Sequence, residues 1–89
     1  MTIRLELGQT FITRGASSAI PDQEVTAAMN RHQTGDWGNV CEEDLNQNNW
    51  ALENDARVIS SYESTTGTRF WIITEADRSV TTVLLPEEY

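Results

Sequence analysis

Lysine is missing from this chain: all six basic residues are arginine, set against fourteen acidic ones. The resulting formal net charge is −8, with a pI near 4.3. Such a surface repels nucleic-acid phosphates at a distance, which disfavours a general role in coating DNA or RNA. Cysteine occurs once, so no internal disulfide and no metal–thiolate cluster can form. Cys41 is expected as a small, partly buried residue at a helix start rather than as a nucleophile. No apolar stretch approaches the roughly twenty residues that a membrane helix needs, and no signal-peptide pattern opens the chain. A cytoplasmic protein is therefore expected. Phosphate-binding glycine loops, Gly-x-Ser-x-Gly turns and ligand spacings of the zinc or calcium kind are lacking too, and neither a metal nor a cofactor is expected.

What is present suits one small globular domain spanning residues 1–89. Hydrophobic residues make up 38% of 89, with three Trp, two Phe and two Tyr, enough for a single modest core. Thr2 to Leu7 alternates Ile3, Leu5 and Leu7 with polar residues, the period of a half-buried strand, and Gly8 ends it. Thr10 to Thr13 reads as a second short extended piece, resuming after a bulge at Gly8. Thr13 or Ser17 can cap a helical turn through Ala19 and Ile20. Pro21, Asp22 and Glu24 open a helix whose apolar stripe is Val25, Met29 and His32, and Gly35 stops it. Glu42, Glu43 and Asp44 open another, with Leu45, Asn49 and Leu52 as the expected inner face. Trp37, held between Gly35 and Gly38, reads as a plug at a core edge.

The remainder predicts three strands, Arg57 to Glu63, Arg69 to Glu75 and Val80 to Leu85, joined by a Gly67 hairpin and a tight Ala76–Ser79 turn. Phe70 to Ile73 is apolar on both faces, which makes its strand central. The fold class expected is α+β: an antiparallel sheet of three to four strands, a C-terminal meander plus the N-terminal strand, with two helices packed on one face.

His32 is the one imidazole, so any acid–base mechanism of that kind must use it. Its place on an apolar stripe favours a structural part. Asp36 could charge-pair with it, or serve ordinary turn chemistry. Arg78 sits in a turn that does not require an arginine, and a pair with Glu75 or a helix carboxylate is the plainer account. Thr81 and Thr82 point to opposite faces of their strand, and threonine is a good strand former in any case. If the chain is an enzyme, His32, Asp36, Arg78 and Thr82 are its catalytic candidates. If it binds a protein, the acidic residues Glu42, Glu43, Asp44, Glu53 and Asp55 are the contact candidates.

The segments Arg31 to Gly38, Asp44, Asn49, Arg57 to Tyr62 and Trp71 to Tyr89 resemble a family of short bacterial proteins carried on plasmids, integrative elements and phages. The resemblance spans residues 8–89 and implies a mobile-element context; it lends no catalytic residue. Joined to the −8 charge, it leads to the expectation of an accessory protein that binds a protein partner, in the form of an inhibitor of a host defence nuclease of the restriction or CRISPR kind. The alternative is a small ribonuclease-like hydrolase of barnase/RelE type centred on His32, with Arg57 or Arg78, Thr81 or Thr82 and Tyr62 in supporting roles. That likeness is at the level of the fold.

Overall fold

A computed structural model describes residues 4–89. Strand β1 (Gln9–Ile12) leads into helices α1 (Arg14–Ala19), α2 (Asp22–Gln33) and α3 (Glu42–Asn54). Strands β2 (Val58–Glu63), β3 (Arg69–Thr74) and β4 (Val80–Leu84) follow, and a 3₁₀ turn at Pro86–Glu88 closes the chain. The class is α+β, with one four-stranded sheet in the order β1-β4-β3-β2. The meander β2–β3–β4 is antiparallel and β3 is central, as its two-sided apolarity predicts.

The N-terminal strand joins in another manner than expected. It pairs with β4 in parallel, Gln9 beside Val80 through Ile12 beside Val83, so the sheet is mixed. The early strand expected at Thr2 to Leu7 falls partly outside the described residues, and its described part, from Arg4, is not a strand. The reason lies in its hydrogen bonds. Leu5 donates its N–H to the Gln33 carbonyl at the end of α2, and its own carbonyl accepts from the Gln33 amide. Leu7 gives its carbonyl to the Thr81 hydroxyl. These bonds tie the segment to α2 and to the Thr81 side chain rather than to a neighbouring strand's backbone. Gly8 then turns the chain at φ +63, with its Cα against the Ser79 carbonyl, where a Cβ would collide.

Three helices, not two, cover one face of the sheet. Thr13 caps α1 by accepting the Ala16 N–H, so the expected turn near residue 17 is a helix of its own. Ala16, Ile20 and Ala28 pack on Tyr62, Phe70, Ile72 and Val83, with Val25 and Met29 half-buried beside them. A second cluster joins Leu5, Trp37, Ala51 and Val58. Trp37 is 2% exposed and does close the core, its ring edge-on to His32.

The buried side of α3 is offset by one residue from the expected one. Asn48 and Ala51 are buried, whereas Leu45 and Asn49 are exposed. Backbone demand decides this. Asn48 accepts the Ile59 N–H and donates to the Ile59 carbonyl at 2.7 Å, completing the outer edge of β2 as another strand would. Asn49 only accepts from the Trp37 indole. Asn48→Ala is expected to strand both Ile59 groups and to cost about 2 kcal/mol, read as a lower urea midpoint with unchanged m. Asn49→Ala is expected to move stability by less than about 1 kcal/mol, and equal costs at the two positions would contradict this assignment. Cys41, expected as partly buried, is exposed, because it precedes α3 on the solvent side and makes no cap hydrogen bond with its side chain.

Candidate functional site

The last turn of α2 lays His32 across the sheet face at 0% exposure. Register brings three hydroxyls to meet it. Thr74 lies opposite Thr81 across the β3–β4 pair, and Ser60 sits on the same face of β2, two residues from Val58, the partner of Thr74. His32 Nδ1 is hydrogen-bonded to Ser60 Oγ and Nε2 to Thr74 Oγ1 at 2.8 Å. Thr74 Oγ1 is 2.8 Å from Thr81 Oγ1, which donates to the Leu7 carbonyl at 2.7 Å.

Counting protons orients the whole chain. A carbonyl only accepts, so the single Thr81 proton goes to Leu7, and Thr81 must accept from Thr74. The Thr74 proton is then spent, so Thr74 accepts from a protonated Nε2. Burial pushes the imidazole pKa down to about 4, with the nearby positive charge of Arg78 adding to the shift. The ring is therefore neutral at pH 7, in the Nε2–H tautomer, and its bare Nδ1 accepts the Ser60 hydroxyl. Among the described residues no buried side-chain polar atom lacks a partner. A sealed imidazole with both nitrogens engaged has no route for exchanging a proton with a substrate.

The other catalytic candidates are held elsewhere. Asp36 does not reach His32: its carboxylate takes the Arg31 guanidinium at 2.8 and 3.2 Å and the Gly38 N–H at 3.2 Å. Those hydrogen bonds, that of Arg31 first, hold its carboxyl below the usual range. Arg31 in turn lies 4.8 Å from the centre of the Tyr62 ring, whose hydroxyl donates to the Asp36 carbonyl at 2.6 Å. Burial raises the Tyr62 phenol to about 12. Among the described residues Arg78 neither meets His32 in a hydrogen bond nor pairs with a carboxylate. Its guanidinium donates to the carbonyls of Ala56 (2.6 Å), Ala51 (3.0 Å) and Glu75 (3.2 Å), tying the end of α3 to the β3–β4 turn. Thr82 faces the other side of the sheet from Thr74 and Thr81. Among the described residues no hydrogen bond joins any two of His32, Asp36, Arg78 and Thr82, and no group of three His, Cys, Asp or Glu is close enough to hold a metal.

Sequence reasoning offered neither Ser60 nor Thr74 as a partner of His32. A signal existed: Val58, Ser60 and Tyr62 share a face by alternation, so a lone hydroxyl among core residues needs a partner.

The acidic candidates have a different setting. Glu42, Glu43, Asp44, Glu53 and Asp55 are all exposed on or just beyond α3. At helical spacing Trp50 has Asn46, Gln47, Glu53 and Asn54 one turn away, and Glu43 two turns away on the same side. Trp50 is 54% exposed and Leu45 is 41% exposed, on a helix with no basic residue. The burial of Asn48 and Ala51 turns Trp50 outward.

No family model, curated protein or solved structure matches this chain. Among the described residues no helix is long and apolar enough to cross a membrane.

Proposed function

We propose that this chain is a non-enzymatic accessory protein of a mobile genetic element, and that it works by binding a protein partner through the outer face of α3. One observation carries the reading: a half-exposed Trp50 on a helix with no basic residue, with Glu53 one turn away and Glu43 two turns away on the same side. A desolvatable aromatic among like charges has the make-up of an interface anchor with a steering rim. Its complement is a basic groove with an apolar notch, the surface by which a nuclease holds nucleic acid. Inhibition of a host defence nuclease, of the restriction or CRISPR kind, follows from covering that groove. The −8 charge supports this by favouring fast association with a basic partner.

The test is a titration of the folded chain against purified restriction and CRISPR nuclease complexes, with cleavage and binding both read at moderate salt. Trp50→Ala is expected to weaken binding at least about thirtyfold, a loss of about 2 kcal/mol, while thermal unfolding stays nearly where it was. Glu42→Gln with Glu43→Gln is expected to slow association and flatten its salt dependence. If none of these complexes binds, or if Trp50→Ala binds as the parent does, the reading falls.

A further inference from the structure

The two edges of the sheet are finished in opposite ways. At the β2 edge the outward groups of Ile59 are taken by Asn48, and those of Ser61 by the Trp37 carbonyl and the Asn39 N–H. At the β1 edge nothing comparable happens among the described residues. Gln9 donates to Ser79 and Thr13 to Val83, so by alternation the N–H and C=O groups of Thr10 and Ile12 point away from the sheet. All four residues of β1 are exposed and none is charged. Natural sheets guard such edges with charges, prolines or a covering element. Here the space beside the edge is a groove of about 240 Å³ floored by Ile12, Val25, Met29 and Val83.

We infer that β1 is a strand-addition site for an extended peptide of a partner protein, with uncharged β-forming residues in its middle and basic residues at both flanks. The main chain of the peptide pairs with Thr10 and Ile12, and alternate apolar side chains enter the groove against Val25 and Met29. Charge selects the flanks. Asp22 lines the groove, and Glu88 accepts from Thr13 just past one end of β1. Asp77 is bonded to Ser79, whose carbonyl receives the Gln9 N–H at the other end. The same placement argues against a second copy. Antiparallel self-pairing sets the Asp77 end of one strand against the Asp22 and Glu88 end of the other. A four-residue seam also buries far less than the roughly 1,200 Å² of a stable interface.

The experiment uses the ¹⁵N-labelled chain and two capped synthetic peptides with one alternating Val/Thr centre, flanked by arginines in one and by glutamates in the other. The arginine-flanked peptide is expected to bind saturably, to slow amide exchange at Thr10 and Ile12, and to bind at least about tenfold more tightly than the glutamate-flanked one. Thr10→Pro removes an outward N–H and leaves the Gln9 and Phe11 donors to β4 in place, so it is expected to abolish binding in a folded protein. Asp22→Arg, a surface change that spares β1 altogether, is expected to narrow or reverse the preference between the two peptides. Trp50→Ala is expected to leave peptide binding unchanged, which separates this edge from the α3 face. Shifts that map away from β1, binding indifferent to both variants, or a concentration-dependent dimer that protects Thr10 and Ile12 without peptide would each overturn the proposal.

Discussion

Lowering the pH from 7 to 4 is expected to cost this fold about 3 kcal/mol, and His32→Gln is expected to remove most of that dependence. The sign follows from which state binds the proton. His32 titrates near 6.5 when unfolded and at about 4 when folded. Between those values the unfolded chain takes up a proton that the folded chain refuses, so stability falls as pH drops and levels off below about 4. At about 1.4 kcal/mol per pKa unit, the shift is worth the stated 3. Protonating Nδ1 sets two donors against each other, because Ser60 already points its hydrogen there.

The lowered carboxyls of Asp36, Asp77 and Glu88 act in the same direction only at lower pH. Their stability is present above the ordinary carboxylate range and is lost as pH falls through their own depressed pKa values. The window from 6.5 to 4 therefore reports mainly on His32. Urea unfolding followed by tryptophan fluorescence at pH 7, 5.5 and 4 measures the slope. His32→Gln keeps a donor and an acceptor in the cavity and is expected to fold with a loss of about 2 kcal/mol at pH 7. His32→Ala leaves a void as well as unpaired hydroxyls and is expected to lose about 3 or more. Parallel pH slopes for parent and His32→Gln would remove His32 as the titrating group.

Periodicity carried the fold a long way because it reports burial directly. Alternation in residues 57–85 yields three strands whose order and central member are those observed, and Pro21 and Gly35 bracket α2 closely. Where it failed, backbone hydrogen bonding overrode side-chain pattern. Leu5 and Leu7 alternate like strand residues and are buried or half-buried as a strand face would be. Their carbonyls are nevertheless claimed by Gln33 and Thr81. Asparagines sit at both 48 and 49, and only the unpaired edge of β2 picks Asn48. The parallel pairing of β1 depends on the path of the whole intervening chain, which no local window contains. For the site, the sequence marks His32 as singular but not its surroundings, since Ser60, Thr74 and Thr81 converge only through strand register.

The division of polar groups between inside and outside bears on function. Inside, every hydroxyl of the His32 chain has a fixed donor and acceptor role, which gives the core a single arrangement. Outside, the chain leaves two features unspent: an exposed aromatic on the acidic helix α3, and an uncharged strand edge at β1. They lie on different elements and correspond to the two proposed partners, a basic groove and an extended segment. A buried, fully bonded His32 beside such open surfaces supports the proposed reading of the chain as a binding protein.

Arg78→Ala is expected to be among the most damaging turn substitutions, at about 3 kcal/mol, and Arg78→Gly to be milder although it deletes more atoms. Two effects compete at this residue. The guanidinium donates to three carbonyls, those of Ala51 and Ala56 at the end of α3 and that of Glu75 before the turn. The end of α3 has no basic residue in its last turn and finishes on Asp55 in the left-handed region, so this arginine supplies its cationic cap from across the fold. Losing charged hydrogen bonds to partly buried carbonyls costs about 2–3 kcal/mol. Against this, Arg78 itself has φ +62, a conformation that costs a non-glycine residue roughly 1 kcal/mol. Glycine recovers that strain and alanine does not, so the expected order of stability is Arg, then Gly, then Ala. In a chain of 89 residues the Ala variant is expected to unfold on the order of 10–20 °C lower, by calorimetry. A second readout separates the cap from general damage: removing this charge lifts part of what lowers the His32 pKa. The midpoint of the pH-dependent stability loss is therefore expected to move upward in both variants. Alanine proving milder than glycine would show that Arg78 bears no backbone strain, and an unmoved midpoint in both variants would show that it does not act on the buried imidazole.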